Sequence, residues 1–277
     1  MSKRPISGLT VVITGAGRGI GEATAELLSA HGATVALGDL DTTLVQGVAD
    51  RIGNGAVGAH LDVASPDSWV EFLGAVGEVG PIDVLVNNAG IMPLGSVLKE
   101  PDAVARAIID VNVHGIINGT KAVAPGMVER GRGHIVNVAS AVGRIAVADG
   151  ATYSASKFAA VGFSEATRAE LKPQGIDVSV VLPTIVQTEL AAGVPTARGV
   201  KVVTAHEVAE VIATAISTGH PELWVPRWVQ GMSKATGVLP RWLQERIAAA
   251  FRADRVIADR DETQRMAYES RVRPPVN

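Results

Sequence analysis

Short apolar runs rich in β-branched residues recur along the chain, each followed by a stretch with helical spacing. The runs Leu9–Thr14, Thr34–Asp39, Ala56–Asp62, Ile82–Asn87, Gly133–Ser140, Ile176–Pro183 and Leu223–Pro226 read as strands. Between them, helices are predicted at Gly21–His31, Leu44–Ile52, Ser65–Val79, roughly Pro101–Glu129, Thr152–Lys172 and Ala205–Ser217. Ser65 reads as an N-cap with Pro66 at the first helical position, and Asp41 as the cap of the second helix. Several strands are apolar along their whole length rather than alternating. That pattern suits a parallel sheet covered on both faces, and the strand–helix alternation predicts one doubly wound α/β domain with a mainly parallel, seven-stranded sheet. Residues 1–227 form this domain. Residues 228–277 form a C-terminal helical extension in which Leu239, Trp242, Leu243, Ile247, Ala250 and Phe251 make one stripe. The chain becomes charge-dense from Asp254 and ends in Arg271-Val-Arg-Pro-Pro-Val-Asn277, which reads as a partly ordered tail. The stripe suits packing on its own domain or on a second subunit better than covering a substrate cleft or lying on a membrane surface.

Composition narrows the picture. A chain of 277 residues with 47% hydrophobic content can bury one large core. A net charge of −3 and no dense basic run argue against a nucleic-acid partner. With no cysteine, disulfides, thiolate metal sites and a cysteine nucleophile are excluded. No histidine has metal-site spacing, so no metal is expected. His134, His206 and His220 read as surface or element-end residues. No run reaches the ~18 apolar residues of a membrane span and no signal peptide is visible, so a cytoplasmic protein is expected.

Two features carry chemistry. Between the first strand and first helix stands Thr14-Gly-Ala-Gly-Arg-Gly-Ile-Gly21, a turn where Gly15, Gly17, Gly19 and Gly21 let the backbone approach a pyrophosphate at a helix N-terminus. Ile20 falls where the commonest dinucleotide fingerprint has its third glycine. Asp39 closes the second strand, placed to accept an adenosine ribose and to repel a 2′-phosphate. Arg18 pulls toward that phosphate, but the carboxylate acts on it directly, so NAD is favoured over NADP. The second feature is Tyr153-Ser-Ala-Ser-Lys157: four residues put a phenol and an ammonium on one helix face. A free tyrosine titrates near pH 10, and lowering it by roughly 3 units needs about 4 kcal/mol from nearby positive charge.

Assembled, these residues resemble the classical short-chain dehydrogenase/reductase family over roughly residues 6–226. The glycine turn, Asp62-Val63, Asn87-Asn-Ala-Gly90, Asp110-Val-Asn-Val113, Ser140 and Tyr153-Ser-Ala-Ser-Lys157 match its motifs in order. The resemblance implies a Rossmann-type fold with Tyr153 as general acid/base and Lys157 lowering its pKa and holding the nicotinamide ribose. It implies that Ser140 orients the substrate oxygen and Asn112 supports a water linked to Lys157. Cofactor contacts are implied for Gly15, Gly17, Arg18, Gly19, Ile20, Gly21, Asp39, Asp62, Val63, Asn88, Ala89, Gly90, Tyr153, Lys157, Pro183 and Thr188. Asn87 reads instead as holding the backbone at its strand end. One departure is Pro183-Thr184, where the family usually has Pro-Gly. The substrate walls, Ile91 to Pro93, Ala141 to Ala148 and Thr184 to Val203, are mostly apolar. They suit a secondary alcohol or ketone on a hydrophobic body (terpenoid, steroid or acyl-like), with Arg144 facing solvent rather than an acidic substrate. A homodimer or homotetramer paired through the helices from Pro101 and Thr152 is implied. An NADPH-dependent ketone reductase is the alternative, ahead of a nucleotide-binding regulator without turnover.

Overall fold

The computed structural model describes residues 4–195, 202–237, 239–240, 242–243, 246 and 260–272. Seven strands, β1 (Thr10–Thr14), β2 (Thr34–Asp39), β3 (Val57–His60), β4 (Val84–Asn87), β5 (Gly133–Val138), β6 (Ile176–Pro183) and β7 (Glu222–Val225), form one parallel sheet in the order β3-β2-β1-β4-β5-β6-β7. Every pairing is parallel, with Val12 opposite Ala36 and Leu85, for example.

The unbroken apolar runs follow from burial on both faces. Successive side chains point to opposite sides of the sheet. Val11 and Ile13 meet Ala25 and Leu28 of α1 (Gly19–Ala30), Val45 and Val48 of α2 (Thr42–Ile52) and Val208 and Ile212 of α7 (Ala205–Thr218). Val12 and Leu85 face the other way, onto Trp69 and Phe72 of α3 (Pro66–Ala75) and Val123 and Met127 of α5 (Gly115–Arg130). The remaining helices of the domain are α4 (Asp102–Ile109) and α6 (Ala151–Leu171). Caps fall where polar side chains can take the free N–H groups: Ser65 accepts from Ser68 N, Asp41 from Leu44 N, and Thr204 and Glu207 form a reciprocal box at α7.

Three readings are corrected here. The segment expected to be one helix from Pro101 to Glu129 is interrupted at Asp110–His114, where a π turn joins α4 to α5. The helix expected to reach Val79 stops at Ala75 and ends in a 3₁₀ turn, Gly77–Val79. His134 is buried, 3% exposed. Its Nε2 lies 2.8 Å from Ser179 Oγ, and burial pushes its pKa down to about 4. His206 and His220 are exposed as expected.

Past Arg227, α8 (Trp228–Gly237) packs Val229 against Leu182 and Trp224. Of the predicted stripe, Ile247, Ala250 and Phe251 lie outside the described residues, and Trp242 is 59% exposed. The charge-dense stretch contains a described helix, Glu262–Val272, in which Arg265 and Tyr268 are buried; residues 273–277 of the expected partly ordered tail lie outside the described residues. No described helix is long and apolar enough to cross a membrane.

Two glycine replacements separate packing from helix propensity. A Cβ at Gly119 of α5 would lie 2.5 Å from Asn87 Oδ1 and 2.8 Å from the Trp69 ring, whereas one at Gly47 of α2 meets nothing within 4 Å. Urea unfolding is expected to show Gly119→Ala destabilised by about 1–3 kcal/mol through overpacking, despite alanine's ~1 kcal/mol propensity advantage. Gly47→Ala should be more stable by about 0.5–1 kcal/mol.

Candidate active site

All the loops that carry predicted site residues leave the sheet at its carboxyl edge, where a doubly wound domain binds ligands. The first is the glycine turn. Gly15 and Gly19 adopt φ of +63° and +61°, which favour glycine, and a Cβ at Gly21 would lie 2.2 Å from Gly15 O. Asn88 locks this turn from the neighbouring strand: its Nδ2 donates to Thr14 O at 2.9 Å and Gly15 O at 3.1 Å. Thr14 Oγ1 accepts from the N–H groups of Asn88 and Ala89. Arg18, the N-cap of α1, makes no side-chain cap, which leaves the helix start open to an anionic group.

Asp39 stands where the sequence puts it. Its Oδ2 accepts from Gly17 N at 2.9 Å, and its Oδ1 from Asp41 N at 3.1 Å. The carboxylate therefore sits against the glycine turn. Arg18 is engaged elsewhere, 3.1 Å from Glu189 and 3.9 Å from Asp41. Asp62 caps the next loop, accepting from Ala64 N at 2.9 Å, and Val63 is buried against Gly115. Thr188 borders the turn, since a Cβ on Gly19 would lie 3.3 Å from Thr188 Cγ2. At the departure from the usual Pro-Gly, Thr184 N and Oγ1 both donate to Val225 O, tying the loop to β7. These features fit a dinucleotide: glycines that admit a close approach, an open helix start and a fixed carboxylate.

Ser140, Tyr153, Lys157 and Asn112 are brought together, each at most 8% exposed. Ser140 follows β5. Its Oγ accepts from Val142 N at 3.1 Å and is in hydrogen-bonding reach of the Tyr153 phenol. Lys157, one helical turn after Tyr153 on α6, lies with Nζ 5.8 Å from the centre of the tyrosine ring. Among the described residues its hydrogen bond is to Val138 O, at 3.3 Å. Asn112 sits in the π turn, which aims its side chain inward. It donates to Ile91 O (2.9 Å) and Ser156 Oγ (3.0 Å) and accepts from Ile91 N (2.8 Å). A Cβ on Gly90 would touch both Asn112 Oδ1 at 3.2 Å and Lys157 Nζ at 3.5 Å, so that glycine lets the two close up.

Burial dominates the electrostatics. It pushes the Tyr153 phenol up to about 12, while the Ser140 hydrogen bond and the positive charge of Arg265 draw it partway back. It pushes the Lys157 ammonium down to about 8. Both groups are held against their charged forms.

One further expectation is corrected. Asn87 does not hold backbone; its Nδ2 donates to Asn137 Oδ1 at 2.9 Å, and Asn88 takes the role assigned to it. Arg144 is exposed and paired with Glu165 and Glu222, facing solvent as expected. The residues the sequence reading missed are Arg265 and Tyr268. Tyr268 Oη accepts from Met92 N at 2.8 Å. Their only sequence signal was a tyrosine three places after an arginine in a polar helix.

The depressed Lys157 pKa makes a stability prediction. Below pH 8 the folded protein holds a buried cation. Between about 8 and 10.5 it loses that proton more readily than the unfolded chain does, so stability gains up to about 3 kcal/mol as pH rises. Lys157→Met should therefore be more stable than the parent at pH 7 in the absence of cofactor, an advantage that vanishes by about pH 10.5. Urea midpoints across that range check it.

Comparison with known proteins agrees with this arrangement. The model of a family described as short chain dehydrogenase matches residues 9–199. A 3-alpha-(or 20-beta)-hydroxysteroid dehydrogenase of Mycobacterium tuberculosis is 36% identical over 196 residues, 70% of this chain and 75% of that one. A putative oxidoreductase, SadH, of the same species is 37% identical over 233 residues, 82% of this chain and 83% of that one. The crystal structure of a short chain dehydrogenase/reductase from Burkholderia phymatum in complex with NAD superposes with a TM-score of 0.76 at 25% identity, covering 83% of this chain and 93% of that one. The chain thus belongs to the short-chain dehydrogenase/reductase family and is an NAD(P)-dependent oxidoreductase acting on CH–OH groups.

Proposed function

We propose that the chain transfers hydride between NAD and a secondary alcohol or ketone on a hydrophobic body, with Tyr153 as general acid/base. The observation that carries this is the buried cluster of Ser140, Tyr153 and Lys157 at the sheet's carboxyl edge, the same edge at which Asp39 is bonded to the glycine turn. The glycine turn, Asp39, Asp62, Val63, Asn88 to Gly90, Pro183 and Thr188 would hold the dinucleotide. Bound, its nicotinamide accepts or gives the hydride.

The protein's part is the proton. In alcohol oxidation Tyr153 Oη takes the hydroxyl proton, and in ketone reduction it gives one to the carbonyl oxygen. Ser140 Oγ orients that oxygen. Lys157 places a positive charge under the tyrosine ring, and Asn112, held by Ile91 and Ser156, keeps the Lys157 side of the site open to a water-borne proton. A phenol at about 12 is a poor base near neutrality, so added positive charge at Lys157 and at the oxidised cofactor is what brings it into range.

NAD is favoured over NADP because the Asp39 carboxylate stands at the turn, while Arg18 is already paired with Glu189 and Asp41. A cytoplasmic homo-oligomer belongs to the same reading; Phe158 of α6 stands 45% exposed where a second copy would cover it. The hydroxysteroid relative and the apolar cluster of Met92, Leu94, Val142, Val147 and Leu190 around Tyr153 support a hydrophobic substrate.

Two measurements test this. Tyr153→Phe should lower kcat/KM for alcohol oxidation by about 10²–10⁴-fold while NADH binding stays within a few-fold. Calorimetry with the four nicotinamide cofactors should show a preference for NAD(H), and Asp39→Ala should lower NADH affinity by roughly 10–100-fold, the worth of charged hydrogen bonds. Tighter binding of NADPH to the parent protein would instead support the reductase alternative.

A further inference from the structure

Arg265 is 1% exposed, an unusual place for a guanidinium unless its donors are matched. They are. Nη2 donates to Met92 O, Nη1 to Leu190 O and Ala192 O at 3.2 Å each, and Nε to Glu269 Oε1 at 2.8 Å. Met92 belongs to the loop after β4, and Leu190 and Ala192 to the loop after β6. One rigid fork therefore ties together two loops that share no strand ladder. A lysine, with a single point of charge, could not make this set.

Tyr268 lies three residues on, on the same helix face, with its ring 5.2 Å from the Arg265 guanidinium. Its Oη takes the N–H of Met92, so both backbone groups of Met92 are satisfied by the C-terminal helix. The helix start is anchored as well: Asp261 N donates to Gly193 O at 2.7 Å, and Asp261 Oδ1 accepts from Thr263 N and Gln264 N. Surface pairs such as Arg271–Glu189 add little, so the buried fork carries the docking.

What this fork clamps is the wall around the reacting phenol. Met92, Leu94 and Tyr153 form one apolar cluster, with Val142, Val147, Leu190 and Val194 packed against it. With the helix in place, Tyr153 is only 6% exposed.

We propose that Arg265 and Tyr268 are specificity-determining positioning residues: by pinning Met92 to Leu190 and Ala192 they fix the apolar wall around Tyr153 and so limit the size of the alcohol or ketone the site accepts. This rests on the oxidoreductase reading above and adds which part of the chain sets substrate size.

The test uses the full-length protein with Arg265→Met, Tyr268→Ala and Tyr268→Phe, the last removing one oxygen should the others fold poorly. Hydrogen exchange without cofactor is expected to speed up by about tenfold or more at residues 90–95 and 189–194 in Arg265→Met, with sheet amides unchanged. In Tyr268→Phe the gain should centre on the Met92 amide. With NAD⁺, the ratio of kcat/KM for a polycyclic secondary alcohol to that for cyclohexanol should rise by about tenfold or more in Arg265→Met and Tyr268→Ala, mainly through KM, the equivalent of 1.4 kcal/mol of discrimination. A merely structural role would lower both alcohols in proportion. Unchanged exchange in the two loops, or an unchanged ratio, overturns the proposal while leaving the oxidoreductase reading intact. If the parent protein binds NADH and oxidises neither alcohol, the functional reading fails and the specificity role with it.

Discussion

A lysine ammonium buried one helical turn from a buried tyrosine is the constraint around which the rest of the site is organised. Burying such a charge without a full set of partners is expensive, and here the protein supplies Lys157 with the Val138 carbonyl. The surrounding structure holds this arrangement in place. α6 fixes the spacing of Tyr153 and Lys157, Ser156 on that helix receives a hydrogen bond from Asn112, and Asn112 in turn grips both backbone groups of Ile91. The π turn at Asp110–His114 aims Asn112 inward, and Gly90 leaves room for its amide and for the ammonium. Stability given up at Lys157 is the expected mark of a site prepared for a partner that completes it.

The two halves of the cleft are built by different means. The half around the glycine turn, proposed to hold the cofactor, is made of short-range devices: glycines at positive φ, an open helix start, a carboxylate bonded to the turn, and Asn88 crossing from the adjacent strand. The half proposed to face the substrate is built differently. Its walls are loops, and a helix from the far end of the chain holds them through one guanidinium and one phenol.

The sheet and the geometry of the glycine turn were legible because their causes are local. Strands apolar on both faces announce a covered parallel sheet, and Gly15 to Gly21, Asp39 and Tyr153-to-Lys157 sit within short windows. What was not legible depends on distant partners. The π turn adds one residue to a helical repeat and leaves no mark in the composition. His134 reads as a surface or element-end residue; it does sit at the start of β5, but its burial shows only once Ser179 meets its Nε2. Asn87 looks like a backbone brace until Asn137 takes its amide. Arg265 lies in a stretch as charged as any solvated tail, and only the carbonyls of Met92, Leu190 and Ala192 make its burial tolerable.

The chain has two tyrosines, so Tyr268→Phe leaves Tyr153 as its one phenol. The most direct measurement is an ultraviolet titration of that phenol in Tyr268→Phe, with and without saturating NAD⁺. A midpoint near 12 is expected in the free protein, falling by roughly 2 units or more when the cofactor's positive charge is brought beside the phenol. A midpoint that does not move on binding NAD⁺ would contradict the assignment of Tyr153 as the acid/base.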